Sequence, residues 1–255
     1  MEPTFLVTND DGIQVYFIRA IAEKLGKFGK VYLAAPSREQ SWIGRAISRY
    51  RDIEVASYEG FDGVEAWQVG GTPSDAVNIA MGHLMPRPPN VVVSGINIGY
   101  NVLSPVLLSS GTVAAALEGA AWGVPAVALS FHLKEEDFNA TKKSPDNPSP
   151  QVRRRIDLAA ELGAEFAAAK VGQNNSRGLI HNINFPSKLE SDTPWVTTRP
   201  SRIRMGSMFS KLRDHTFRFR YLNGLTPHPS GSLPGDYETL LSGKISHSIL
   251  DFMHL

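Results

Sequence analysis

Phe5-Leu6-Val7-Thr8-Asn9-Asp10-Asp11-Gly12 is the stretch from which the fold is read. A short apolar run is the pattern of a buried strand, and this one stops at two adjacent carboxylates and a glycine. Neighbouring negative charges at a strand end repel each other. A hard divalent cation such as Mg²⁺, which prefers carboxylate oxygens, relieves that repulsion. The competing reading is a charged turn that merely ends a strand. Downstream, Ile18, Ile21, Ala22 and Leu25 recur at helical spacing within Val15 to Leu25, and Gly26 and Gly29 break the pattern. Val31 to Ala35 reads as a second strand, ended by Pro36. Strand, helix and strand in this order predict a parallel pair with a right-handed crossover.

The alternation continues. Val64 to Val69 predicts a strand. Thr72-Pro73-Ser74-Asp75 predicts a helix start, with Thr72 at N-cap, Pro73 at N1 and Asp75 closing a short capping box. Val91 to Val93 reads as a strand that ends at Ser94-Gly95-Ile96-Asn97. Thr112 to Trp122 is alanine-rich, as close-packed helices are, and Val124 to Leu129 is a further strand. Residues 133–150 are polar and hold three prolines, which predicts a surface loop. Val152 to Val171 reads as a long helix and Leu179 to Phe185 as the last core strand. The expected fold is α/β: a Rossmann-like, mostly parallel sheet with helices on both faces.

From Pro186 the texture changes to turns and short β-prone runs such as Trp195 to Thr198 and Thr216 to Phe219. The expected organisation is a core over 1–185 and a β-rich extension or oligomerisation arm over 186–255, with Thr226 to Gly235 as a turn-filled loop.

Composition excludes several classes. With 42% hydrophobic residues the chain can bury a core, and a formal net charge of +1 gives no field for nucleic acid or membrane surface. Cysteine is absent, so disulfides, thiolate metal sites and a cysteine nucleophile are excluded. Neither a signal-like start nor a membrane-length apolar run is present, which sets a cytoplasmic location as the expectation. The seven histidines show no metal-type spacing, and neither a P-loop nor a G-x-S-x-G elbow occurs.

In open α/β sheets, ligands bind beyond the carboxyl ends of the strands, where strand order switches. Three predicted strands end in sets that would share that edge: Asn9, Asp10 and Asp11; Ser37 to Ser41; and Ser94, Gly95 and Asn97. Their oxygens suit Mg²⁺, Mn²⁺ or Ca²⁺ better than Zn²⁺. Ser109-Ser110-Gly111-Thr112 opens a helix, where backbone N–H groups and hydroxyls form an anion site; plain capping is the alternative.

At these residues the chain resembles the SurE family, metal-dependent 5′/3′-nucleotidases. The resemblance lies in Val7 to Ile13, Ala35 to Ser41, Gly71 to Asp75, Val93 to Asn97, Ser110 to Val113, Asn182 to Pro186 and Gly235 to Tyr237, in family order. It implies a C-terminal β extension that joins subunits into a homodimer or homotetramer. It implies metal binding by Asp10, Asp11, Ser41 and Asn97, with one divalent ion such as Mg²⁺ or Mn²⁺. It implies phosphate contact by Asn9 and the Ser110-Gly111-Thr112 turn, and it makes Asp10, Asp11 and Asn9 the catalytic group. The expected activity is hydrolysis of nucleoside 5′-monophosphates, with the 3′-monophosphates as the second candidate substrate. The rival reading is a weakened nucleotide- or metal-binding protein of the same fold. A haloacid-dehalogenase phosphatase is disfavoured because Asn9 stands where its nucleophilic aspartate is needed. The chain departs from the family pattern at Val15, Tyr16 and Phe17, at Trp42 and Leu103 where glycine is common, and at Ser109 where tyrosine is common. These changes are expected to crowd the pocket rim.

Overall fold

The computed structural model describes residues 2–220, 226–228 and 231–252. β1 (Thr4–Thr8) lies between β2 (Lys30–Pro36) and β5 (Val91–Ile98), parallel to both. β3 (Val55–Ser57) and β4 (Glu65–Val69) extend the sheet beyond β2, and β6 (Ala126–Phe131) and β7 (Leu179–Phe185) extend it beyond β5. The order is completed by β11 (Ile245–Asp251) and β8 (Trp195–Thr198), giving β3-β4-β2-β1-β5-β6-β7-β11-β8. The chain builds outward from β1 to β2 and β4, then returns to the other side of β1 as β5. The carboxyl ends of β1 and β5 therefore flank a topological switch point.

Helices cover both faces, as expected. On one face α1 (Tyr16–Leu25) and α6 (Pro150–Ala168) pack on Phe5, Val7, Val93, Leu129 and Ile183. On the other, α2 (Pro73–Ile79) and α4 (Gly111–Ala121) cover Leu6, Val92, Ala126 and Ala128. The α2 capping box forms as read: Thr72 Oγ1 accepts from Asp75 N at 3.1 Å, and Asp75 Oδ2 accepts from Thr72 N at 2.9 Å.

Several expectations need correction. Residues 133–150 are not a loop throughout, because α5 spans Glu135–Lys143. The three prolines fall at 145, 148 and 150, beyond its end, and Pro150 starts α6. β5 does not end at Val93 but runs to Ile98, with a register shift against β6 between Ser94 and Asn97. Gly95, at φ +126, provides the backbone this shift needs. Leu179–Phe185 is not the last core strand: β11 pairs antiparallel with it and β8 pairs parallel with β11. Trp195–Thr198 thus belongs to the main sheet. The β-prone run at Thr216 forms a separate hairpin, β9 (Phe209–Arg213) with β10 (Thr216–Phe219). α3 (Ser104–Ser109) and α7 (Asp236–Leu241) complete the elements used below. Within the expected 226–235 loop, Pro229 and Ser230 lie outside the described residues. So do 221–225 and 253–255 of the expected extension.

Candidate active site

Asp10 and Asp11 sit in the turn that leaves β1, only 4% and 7% exposed. Each is held from a different element. Thr112, in the first turn of α4, donates its hydroxyl to Asp10 Oδ1 at 2.6 Å. The backbone N–H of Ile98, at the end of β5, donates to Asp11 Oδ2 at 2.7 Å. A side chain at 111 would bring its Cβ within 2.7 Å of Asp10 Cβ, so a glycine is required for α4 to start this close to the carboxylate. The N–H groups of Gly111 and Thr112 start the helix and have no intrahelical acceptor. Ser110 caps it, accepting from Val113 N at 3.1 Å. That bond uses an oxygen lone pair and leaves the Ser110 hydroxyl proton free to donate.

Burial of two adjacent acids is costly, and the pair shows it. Burial, reinforced by the neighbouring Asp11 charge, pushes the Asp10 carboxyl up to about 7. Burial also raises Asp11, against the opposing pull of Lys142. Lys142, near the end of α5, donates to Asp11 Oδ1 at 2.9 Å and to Glu39 Oε1 at 3.0 Å. Burial works against its charge, but Asp11 and Glu39 outweigh this and hold the ammonium protonated well above its ordinary range. Glu39 resists its own partial burial, because bonds from Ser41 and Lys142 lower its carboxyl.

A cavity of about 460 Å³ opens beside this cluster; Asp11, Glu39, Gly111 and Thr112 lie behind its lining. Asp10, Ser41, Asn97 and Ser110 line it, together with Lys142. Asn97 is 8% exposed and its amide makes no hydrogen bond among the described residues. Ser41 reaches the same cavity while its hydroxyl donates to Glu39 Oε1 at 2.7 Å. The three strand-end sets read from sequence do converge. Asn9 is placed differently. It is fully buried, with Nδ2 donating to Gly12 O at 2.8 Å and Oδ1 accepting from Gly12 N at 3.2 Å. Its amide closes the turn behind the carboxylates rather than lining the cavity.

Sequence reasoning missed Lys142 altogether. The signal was present: residues 135–137 are all acidic and 142–143 are both lysine, the charge order that suits a helix dipole. It also missed Asn101. The Asn101 side-chain amide donates to Thr112 Oγ1 at 3.2 Å and Ser130 Oγ at 2.9 Å, while the Asn182 and Asn184 amides donate to the Asn101 backbone carbonyl at 2.8 and 3.0 Å. This buried network fixes the Thr112 hydroxyl that orients Asp10. Of the departures from the family pattern, Trp42, Leu103 and Ser109 do line the cavity. Val15, Tyr16 and Phe17 do not: Phe17 is in the core, and the Tyr16 hydroxyl donates to Asp157 of α6 at 2.6 Å. Leu103 has φ +74 and Trp42 φ +61, which explains why glycine suits both positions.

The fold and the site define an α/β protein with a buried acidic pair at its switch point, facing the N-terminus of a helix. Comparison with known proteins narrows that class. The family model described as "Survival protein SurE" matches residues 5–207, and the chain belongs to the SurE family. The 5′-nucleotidase SurE of Methanosarcina acetivorans is 32% identical over 223 residues, which are 87% of this chain and 81% of the relative. That of Methanoculleus marisnigri is 37% identical over 191 residues, 74% of this chain and 69% of the relative. The crystal structure of the SurE protein from Aquifex aeolicus matches 99% of this chain and 94% of its own, with a TM-score of 0.75 at 24% identity, and shows the same fold.

Proposed function

We propose that this chain is a divalent-metal-dependent 5′-nucleotidase that hydrolyses nucleoside monophosphates, the 3′ isomers included, to nucleoside and phosphate. The observation that carries the reading is the Asp10–Asp11 pair, buried at the switch point with the N-terminus of α4 against it. The names of the curated relatives support the nucleotidase activity.

The donor set fits a hard cation. Cysteine is absent from the chain, so an ion that needs thiolate ligands is not served. Two carboxylates, the unbonded Asn97 amide and the Ser41 hydroxyl offer oxygen alone, and Mg²⁺ or Mn²⁺ bound by so few protein ligands keeps waters that a phosphate oxygen can replace. When bound, such an ion supplies Lewis acidity and draws the phosphate toward the carboxylates. The chain does the rest. The Gly111 and Thr112 N–H groups and the Ser110 hydroxyl receive the equatorial oxygens of the phosphoryl group and stabilise the charge that grows there. Thr112 and Ile98 keep Asp10 and Asp11 from turning away. Water or an aspartate carboxylate is the nucleophile; in the net reaction water is consumed, the phosphorus–oxygen ester bond breaks, and the nucleoside leaves with a proton as an alcohol while the phosphoryl group ends as phosphate. Among the described residues the hairpin β9–β10 pairs with no other strand, and it is the part of the extension we assign to contact between copies of the chain.

Phosphate release from adenosine 5′-monophosphate, with Mg²⁺ or with EDTA, tests the reading. Release is expected only with metal, and Asp10→Asn should lower it by orders of magnitude while the far-ultraviolet circular dichroism stays unchanged. Near-wild-type release by Asp10→Asn would sink the assignment.

A further inference from the structure

We propose that Trp42 and Phe219 form a wall that recognises an aromatic base, and that this wall sets the preference for nucleotides over phosphomonoesters without a ring. The proposal rests on the nucleotidase reading and assigns the part of the cavity that the chemistry at Asp10 does not use.

The cavity is divided in character. Asp10, Asn97, Ser110 and Lys142 give it a charged, hydrogen-bonding part. Trp42, Phe219, Met205 and Met208 give it an apolar part. The Trp42 and Phe219 rings lie with centroids 5.1 Å apart at an angle of 59°. Phe219 in turn meets Phe209 edge-on at 6.0 Å, so the aromatic contact continues into the hairpin. The two parts adjoin: Trp42 directly follows Ser41, which is bonded through Glu39 to Lys142 and from there to Asp11. A phosphomonoester whose phosphate reaches Asp10 and Ser110 therefore has its alcohol portion beside the rings.

The loop that carries Trp42 is anchored rather than loose. Gly44 N donates to Ser109 O at 2.9 Å, Thr72 Oγ1 donates to Ala46 O at 2.7 Å, and Arg45 pairs with the buried Glu118 at 2.6 Å. Trp42 also keeps a positive φ of 61°, a backbone that bulky side chains avoid. A large ring held in this way beside a phosphate-sized polar region is a preformed stacking surface. Base-on-aromatic stacking is tolerant of base identity, so broad use of the four bases follows from the same geometry.

The test uses the full chain with Mg²⁺ and two substrates, adenosine 5′-monophosphate and ribose 5-phosphate, which share the phosphate and the sugar. The variants are Trp42→Gly, whose residue accepts the φ at 42, and Phe219→Leu, which keeps the apolar bulk. Each is expected to raise KM for adenosine 5′-monophosphate by about fivefold or more, the lower end of measured base–aromatic stacking. kcat should change little, and kcat/KM for ribose 5-phosphate should stay at the wild-type value. An unchanged ratio of kcat/KM between the two substrates would overturn the proposal, whether both values fall together, as a purely structural contact would produce, or neither moves. If the wild type releases phosphate from ribose 5-phosphate as readily as from the nucleotide, the stacking wall fails while the phosphatase chemistry stands. If it releases none from either, the nucleotidase reading falls and this inference falls with it.

Discussion

Lys142 is the residue whose replacement tests the electrostatics of the site most directly. Its Nζ lies 2.9 Å from Asp11 Oδ1, and the Asp11 side chain is only 2% exposed against 24% for Lys142. At an effective dielectric near 20, two unit charges at that separation attract by roughly 6 kcal/mol. Desolvation of the ammonium offsets part of this, and removing one partner of a buried ion pair costs about 3–5 kcal/mol because the other charge is left uncompensated. The Glu39 contact is half exposed and adds little. Lys142→Met, which keeps the stem and removes the charge, should therefore cost about 3 kcal/mol at pH 8 without metal. For a chain of this length that lowers Tm by roughly 6–12 °C. The loss should shrink at pH 5, where Asp10 is protonated and no longer adds its charge to that of Asp11. Mg²⁺ should then act unequally. In the wild type it competes with an ammonium already on Asp11, whereas in the variant it meets an unpaired carboxylate, so it should raise the variant's Tm by more. The assay is thermal unfolding of both proteins at pH 5 and pH 8 over a Mg²⁺ series. A variant that unfolds within about 2 °C of the wild type at pH 8 without metal, or equal Mg²⁺ stabilisation of the two, would refute the reasoning.

Two further outcomes follow from the same geometry. Asp10, pushed up to about 7 by burial and by Asp11, holds a proton in the folded chain that the unfolded chain releases near 4. Its folded-state value is raised, so its contribution to stability is complete below pH 4 and disappears as pH rises toward 7; Mg²⁺ binding must expel that proton, and the Mg²⁺ dissociation constant measured by calorimetry should rise by up to about tenfold per unit below pH 7. A pH-independent constant between pH 5.5 and 7 would contradict the Asp10 assignment. Leu103→Gly should relieve a backbone at φ +74, worth about 1–3 kcal/mol, yet it removes a fully buried side chain worth about 2–5 kcal/mol. The net expectation in urea unfolding is a loss of about 1–2 kcal/mol, and a gain in stability would show that the strain at 103 outweighs its packing.

The parallel core was legible because its central strands are apolar runs and its helices carry periodic apolar or alanine-rich faces, with a marked cap at Thr72 for α2. Trp195–Thr198 was legible as a β-prone run but not as a strand of the main sheet, and β11 was not legible at all; the reason is chemical. Ser246 and Ser248 face Thr198, whose hydroxyl lies 2.8 Å from each, so these strands are joined by a buried ladder of hydroxyls rather than by apolar side chains. A hydrophobicity pattern cannot see a strand whose buried face is polar and satisfied within itself. At the site, the convergence of Asp10, Ser41 and Asn97 on one cavity was legible from where their strands end, and Asp11 lies beside Asp10, held by the Ile98 N–H. Asn9 was legible as a member of the same set but not as a turn-closing residue, because its amide can either face a ligand or mimic the backbone, and here it takes the second course with Gly12. Lys142 was hidden because it comes from an element read as loop, 131 residues away from its partner.

The charge balance of the site argues for its use more strongly than any one ligand position does. The formal net charge of the chain is +1, which suggests no electrostatic character at all. Locally the count is different. Lys142 donates to Asp11 and Glu39, and Asp10 adjoins Asp11, so these three carboxylates share one neighbouring ammonium, which leaves two of their negative charges uncompensated when all are ionised. The folded chain meets part of that cost by keeping a proton near Asp10 at neutral pH. A phosphate dianion brought to such a site alone would be repelled, although the N–H groups of α4 point toward it. Asp10, Asp11, Ser41 and Asn97 would hold a divalent cation here, and its charge would offset that local excess and leave the helix N-terminus to the phosphate. Buried acids that cost stability in the free protein, arranged at the switch point and left one divalent charge short, are what a metal-dependent phosphate site requires; a turn that merely ended a strand would have kept its carboxylates in water.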